Sequence, residues 1–235
     1  MISRKLTLVV LTITMMFSSL FSQVAISPTS AFLDNKQRFE TILIMNNSKD
    51  PQEVKLAFKF AYPKANKAGD IELIYDDAAE ENLHSATDWL RGFPKNFVLG
   101  PGERQIVRVT AKPPRGIEPG MYWSRLITTS SAVSPEVGAV NQTGISTQIT
   151  MQFNQITSIF YKYGELTSGV LPFKLRPVIE DQVANIFVDY TKSGNAPFLG
   201  TMHAEVFDGS GKLVQDKKVF VSIYYDGLRR LTMDI

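Results

Sequence analysis

The chain has 235 residues, 44% of them hydrophobic and 20% charged, and a formal net charge of +2. That composition is globular, with room for one large or two small domains, and the charge is too small to suggest a nucleic-acid or strongly acidic partner. The absence of cysteine excludes thiol catalysis, a thiolate metal site and any disulfide framework.

In chain order, residues 1–22 read first, as a signal peptide. Arg4 and Lys5 precede the apolar run "LTLVVLTITMMF" (Leu6 to Phe17), and the small residues of "SSLFSQ" place cleavage between Ser22 and Gln23. The apolar run is shorter than the ~20 residues that a membrane-spanning helix needs. The expectation is an exported, soluble protein of a Gram-negative bacterium, in the periplasm.

From Gln23 onward the chain reads as strands. "VAISPTSAFL", "RFETILIMNN", "QEVKLAFKFAYP", "KNFVLGPGERQIVRVTAKPP" and "GMYWSRLITTS" are apolar alternations. They are cut by "NNSKDP", "GPGE" and "PRGIEPG", whose Gly, Pro, Asn and Asp suit turns. Strands at this spacing without helices between them predict an all-β chain of sandwich type. Residues 75–94, "YDDAAEENLHSATDWLRGFP", read as an irregular acidic loop with room for one helical turn.

The run "ISTQITMQFNQITSIFYKYG", residues 145–164, stands apart. Ile145, Thr147, Ile149, Met151 and Phe153 alternate with Ser146, Gln148, Thr150, Gln152 and Asn154, the period of a strand. The run is about three times the usual strand of roughly 5–6 residues. By pattern alone its apolar stripe is an ordinary half-buried sheet face.

"YGELTSGVLP" reads as a linker, which divides the chain into units 23–163 and 164–235. The second unit again reads as strands, with "DGSG" (Asp208 to Gly211) as a hairpin turn. Only about four or five strands are visible there, against the seven of a complete immunoglobulin-like sandwich. The second unit is therefore expected to be incomplete, with an open edge and an exposed apolar strip beside the strand of Leu231 and Met233.

Chemistry is sparse. His84 lies among Asp76, Asp77, Glu80, Glu81 and Asp88, a pattern that reads as a solvated loop rather than a metal site. His203 sits alone in its strand, and Trp89 and Trp123 read as core anchors. No nucleophile elbow, phosphate loop or His-Glu-x-x-His motif is present. Nothing supports an enzyme, a cofactor, a metal site or a small-molecule substrate.

Four segments in order resemble one family, the periplasmic pilus-assembly chaperones (PapD-like). "VAISPTSAFLD" resembles the family's opening strand, and Asn46, Ser48, Pro51 and Val54 match its Asn-x-Ser-x-x-Pro-x-x-Val segment. Pro94, Leu99, Pro101, Gly102, Gln105, Val107 and Arg108 match a second run, and "SIFYKYG" resembles the end of the family's first domain. The resemblance covers residues 24–163 well and the remainder loosely.

The resemblance implies two immunoglobulin-like domains and a long last strand in the first, part of which is lent to a pilus or fimbrial subunit that lacks a strand of its own, a mode known as donor-strand complementation. Ile145, Ile149, Met151 and Phe153 are then the apolar knobs of the donor. The resemblance also implies an outer-membrane usher-type platform as the second partner. In the family an Arg and a Lys grip the subunit's terminal carboxylate; those positions here are Ser30 and Ser158, which carry no charge. Lys162 corresponds to a family Arg that the resemblance places in an interdomain ion pair, here with Glu118. The long segment "SSAVSPEVGAVNQTG" lacks the Cys pair of family members with a long connection there, so the chain reads as an atypical member. The runner-up is a tandem immunoglobulin-like structural or adhesive protein of the surface or periplasm, which binds no subunit and must cover the stripe that a chaperone leaves open.

Overall fold

The chain is described by a computed structural model over residues 24–75, 83–133 and 151–234. The first sandwich is two antiparallel-dominated sheets. One runs β1 (Val24–Ser27), β3 (Phe39–Asn46), β9 (Arg104–Ala111) and β7 (Leu90–Phe93) in spatial order. The other runs β2 (Ser30–Leu33), β11 (Gln152–Tyr163), β10 (Gly120–Ala132), β4 (Gln52–Lys59) and β8 (Asn96–Leu99). A hairpin of β5 (Ala61–Ala65) and β6 (Ile71–Tyr75) stands apart from both. Because side chains alternate across a strand, Ile42 and Ile44 of β3, Val107 and Val109 of β9, Val54 and Leu56 of β4 and Ile159 and Tyr161 of β11 all reach one core.

The opening segment "VAISPTSAFL" was expected as one strand and is two. Pro28 has no amide to offer a ladder, and the chain changes sheets there: β1 pairs antiparallel with β3, whereas β2 pairs parallel with β11. In the expected loop of residues 75–94, Thr87–Trp89 is a 3-10 turn, but Leu90–Phe93 is a strand, held by pairing with β9.

Asn46 explains the Asn-x-Ser segment. It is fully buried at the end of β3, where its Nδ2 donates to the carbonyls of Asp50 (2.9 Å), Leu99 (3.0 Å) and Gly100 (3.1 Å). Its Oδ1 accepts from the Ser48 amide at 2.9 Å. One side chain thus closes the β3–β4 turn and ties it to the loop after β8, satisfying backbone groups that burial would leave costly.

The second sandwich has a three-stranded sheet, β12 (Gly169–Glu180), β13 (Val183–Ser193) and β16 (Gly227–Asp234). It faces a two-stranded one, β14 (Phe198–Phe207) and β15 (Leu213–Ile223). Asp181 and Gln182, at φ 48° and 65°, make the two-residue turn between β12 and β13, whose left-handed backbone matches strand twist. The "DGSG" turn forms as expected, with the Asp208 amide donating to Lys212 O at 2.9 Å.

Two expectations about this half need correction. The segment read as linker is strand from Gly169 onward; Pro172 is tolerated because β12 is an edge strand with a bulge between Pro172 and Lys174. Leu231 and Met233 are buried, since both face the interior opposite Ile186 and Ala184. The open edge is where it was expected, since β16 ends its sheet and among the described residues pairs only with β13, but the exposed apolar residues of this half lie on β12, at Leu171, Phe173, Leu175 and Ile179, and on β14 and β15, at Phe207, Leu213, Val214 and Phe220.

The first half of β10 is buried on both faces. Tyr122 and Leu126 join the core of the first sandwich. Met121 and Trp123 point the other way, into a cluster with Phe60, Phe160, Ala196 and Tyr224 that joins the two sandwiches. Trp123 stacks on Phe60 with ring centroids 5.5 Å apart and meets Tyr224 edge-on at 4.7 Å. Trp123 and Trp89, the latter partly buried against the first core, are packing residues.

Asn46→Ala leaves the carbonyls of Leu99 and Gly100 without this donor, the first buried and the second partly so. The expected loss is about 3 kcal/mol, read as a lower urea midpoint at unchanged slope; a loss below about 1 kcal/mol would contradict the role assigned to this side chain.

Candidate functional site

Two features meet on β11: an open edge and a cleft. On one side β11 is paired with β10 along its whole length, from Gln152 to Tyr163. On the other, β2 pairs only with Ser158 to Tyr161. Among the described residues no strand pairs with Gln152 to Thr157 on that side. Their outward backbone groups form a template for a further strand.

The odd positions of β11 face the first core, where Thr157, Ile159 and Tyr161 are buried. Met151 and Phe153 continue that row beyond the part that the facing sheet covers, and are 63% and 39% exposed. Ile145 and Ile149 lie outside the described residues. The even positions face the second sandwich. Ile156, Ser158 and Phe160 line a cleft of about 390 Å³ whose other wall carries Leu199, Phe220 and Tyr224.

Ser30 and Ser158 are direct neighbours across β2 and β11, and both line this cleft. The cation that neither supplies comes from a third strand. Arg125 of β10 stands directly opposite Ser158, so Arg125, Ser158 and Ser30 form one row across three strands. Its Nη1 donates to the Ser158 hydroxyl, its Nε to Ala61 O at 3.1 Å and its Nη2 to the Tyr224 hydroxyl at 2.9 Å. Burial pushes the Tyr224 phenol above its usual range, and the Arg125 charge pulls it only partly back. The phenol is therefore a neutral acceptor that leaves the guanidinium charge uncompensated. Sequence reasoning missed Arg125. Its signal was a lone charge inside the apolar run "GMYWSRLITTS", where a half-buried strand would place charges on one face only.

The expected ion pair of Glu118 with Lys162 does not form. Lys162 stands opposite Met121 on β10, and its ammonium lies 5.0 Å over the Phe32 ring, a cation–π contact. What Glu118 contributes is its backbone carbonyl, which accepts the Tyr122 hydroxyl at 2.8 Å.

His84 stacks on Trp123 at 5.2 Å, and its Nδ1 lies 3.2 Å from Met121 O; burial lowers its pKa. Its acidic neighbours Asp76, Asp77, Glu80 and Glu81 lie outside the described residues. His203 is not alone in its strand: the β14–β15 register brings Asp216 to 2.6 Å from its Nε2, with Glu205 at 3.7 Å, all three exposed.

Arg125 and Ser158 thus share one slot for charge. Ser158→Lys would set a second cation against the first. At an effective dielectric of ~20 the repulsion costs about 1–3 kcal/mol, seen as a lowered melting temperature that added salt partly restores. An unchanged melt would separate the two positions.

Among solved structures, the chain is similar to the class 5 fimbriae chaperone CfaA, at 18% identity over 90% of this chain and 84% of that one, with a TM-score of 0.44. It is similar to the YadV chaperone at 11% identity over 89% of this chain and 100% of that one, TM-score 0.48. It is also similar to the Salmonella enterica SafA pilin–SafB chaperone complex, at 12% identity over 93% of this chain and 98% of the matched chain, TM-score 0.44. No family model and no curated protein matches the chain.

Proposed function

We propose that the protein is a periplasmic chaperone that binds a pilus- or fimbrial-type subunit by lending it part of β11, and hands it to an outer-membrane usher-type platform. Residues 1–22 direct its export on this reading. Units 23–163 and 164–235 are its two domains, the first carrying the donor strand.

The observation that carries the proposal is the open edge. A subunit missing one strand exposes an apolar groove and unpaired backbone groups. Its complement is a strand with free amides and carbonyls and an alternating apolar row. On the side away from β10, Gln152 to Thr157 pair with no strand among the described residues, and Met151 and Phe153 supply the apolar row. Ile149 and Ile145 extend the row upstream by parity. The four sequence segments that resemble the PapD-like chaperones lend the same reading independent support. A tandem structural module is the competing reading, and it requires the stripe to be covered.

Each apolar side chain taken into a groove contributes about 1.5–3 kcal/mol. Met151→Asp replaces that gain with a desolvated charge, so capture of the subunit should fall by at least ~100-fold, about 2.7 kcal/mol. The melting temperature should stay within about 0.5 kcal/mol equivalent, as for other surface changes. The measurement is co-purification of the bound periplasmic partner with tagged parent and variant, beside circular dichroism melts. A collapse of the variant's melt would return Met151 to the core and favour the structural module.

A further inference from the structure

We infer that the outward face of the β1–β3–β9–β7 sheet is a docking surface for an anionic lipid surface. The two sheets of a sandwich pack face to face, so this face points away from β11 and from the junction with the second sandwich. The inference goes beyond the strand-lending reading and does not rest on it.

Alternation sets what the face carries. Ile42, Ile44, Val107 and Val109 fill the core, so the residues between them on β3 and β9 point outward. The solvated face of such a sheet is ordinarily polar. Here Leu43 and Ile106 stand directly opposite each other, and Ile106 is 61% exposed. On the edge strand β7, Phe93 is 79% exposed and stands directly opposite Arg108. The Arg108 guanidinium lies 3.9 Å over the ring of Phe39, itself exposed. Large apolar groups and guanidiniums are thus interleaved on one sheet face.

Charge selects the occupant. The four strands carry a single acidic residue, Glu40, which stands opposite the buried Val109, on the inward register, and accepts a hydrogen bond from Gln37. Among the described residues, Arg91, Arg104 and Arg108 have no carboxylate within ion-pair distance. Arg91 donates to the carbonyls of Asp88 (2.9 Å) and Leu90 (2.7 Å), which leaves Arg104 and Arg108 for an anion. A face with cations and no anions is complementary to negative charge. The apolar side chains narrow the choice, because a purely acidic surface gains nothing from Phe93 and Ile106. At a lipid surface, apolar groups enter the boundary between headgroups and acyl chains, while the long arginine side chains reach the phosphates. The hydrogen bonds of the sheet lie in its plane, so this face offers side chains and no strand edge.

The test is flotation of the whole protein with large unilamellar vesicles. One set is phosphatidylcholine alone, and the other is two parts phosphatidylcholine to one part phosphatidylglycerol. Each free guanidinium near an anionic leaflet contributes about 5-fold to partitioning, so the anionic vesicles should take up the protein ~30-fold more strongly. Arg104→Gln combined with Arg108→Gln should remove that preference. Ile106→Gln should weaken uptake by about 5-fold. Both variants change exposed side chains and should keep the parent's circular dichroism melt. Raising salt from about 0.1 to about 0.5 M should release most of the bound parent, a reading that needs no variant. Met151→Asp should leave vesicle uptake unchanged, which separates this face from the lent strand. Equal uptake by the two kinds of vesicle, no uptake by either, or full uptake of the double arginine variant overturns the assignment. Binding of poly-glutamate without uptake by vesicles overturns it as well, and gives the face to an acidic polypeptide.

Discussion

Burial of β10 on both faces is the constraint on which the rest depends. One strand serves the core of the first sandwich through Tyr122 and Leu126 and the junction between sandwiches through Met121 and Trp123. The second half is then held by backbone as well as by rings. The Met121 amide donates to Asn195 O at 3.0 Å, and Asn195 Nδ2 reaches the carbonyls of Pro119 and Glu165, each at 3.0 Å. Gly194 makes this approach possible: its φ is +83°, and a Cβ there would sit 2.3 Å from Thr167 O. A polar side chain on the junction face of β10 must find partners inside the protein, and Arg125 finds them on three different segments.

Stability and exposure are divided along β11. Its second half is paired on both edges over Ser158 to Tyr161 and packs through Ile159 and Tyr161 into the core. Its first half has one paired edge and exposed apolar side chains. A strand that is open at one end needs anchoring at the other, and the parallel contact with β2 supplies it. The sheet switch at Pro28 frees β2 to make that contact, so a single imino acid near the start of the sandwich bears on the far end of the chain's longest strand pair.

Much of the all-β architecture was legible in the sequence, because β4 nearly alternates apolar with polar residues and turn residues bound the apolar runs of β3 and β9. The exceptions have physical causes. Alternation could not separate β1 from β2, since both carry the same pattern and differ only in the sheet they join. Leu90–Phe93 is too short to show a period, and its strand state comes from pairing with β9. The first half of β10 is buried on both faces and offers no polar face for alternation to reveal, so Arg125 did not stand out. The apolar row at Met151 and Phe153 was legible as an alternation, and both side chains are exposed. The vacancy at Ser30 and Ser158 was legible as well, but the charge beside it was not, because strand partners 33 residues apart are a matter of register.

That shared slot has a consequence for how such a cleft changes by substitution. Lysine at 158 with an uncharged residue at 125, and serine at 158 with arginine at 125, are two solutions of equal charge. No single replacement connects them without passing through a cleft that holds two cations or none. The doubly charged intermediate is strained, and the neutral one leaves the cleft without a cation. The two arrangements are therefore separate islands, and a chain on one of them keeps its pair as a unit, so residues 125 and 158 are expected to vary together or not at all.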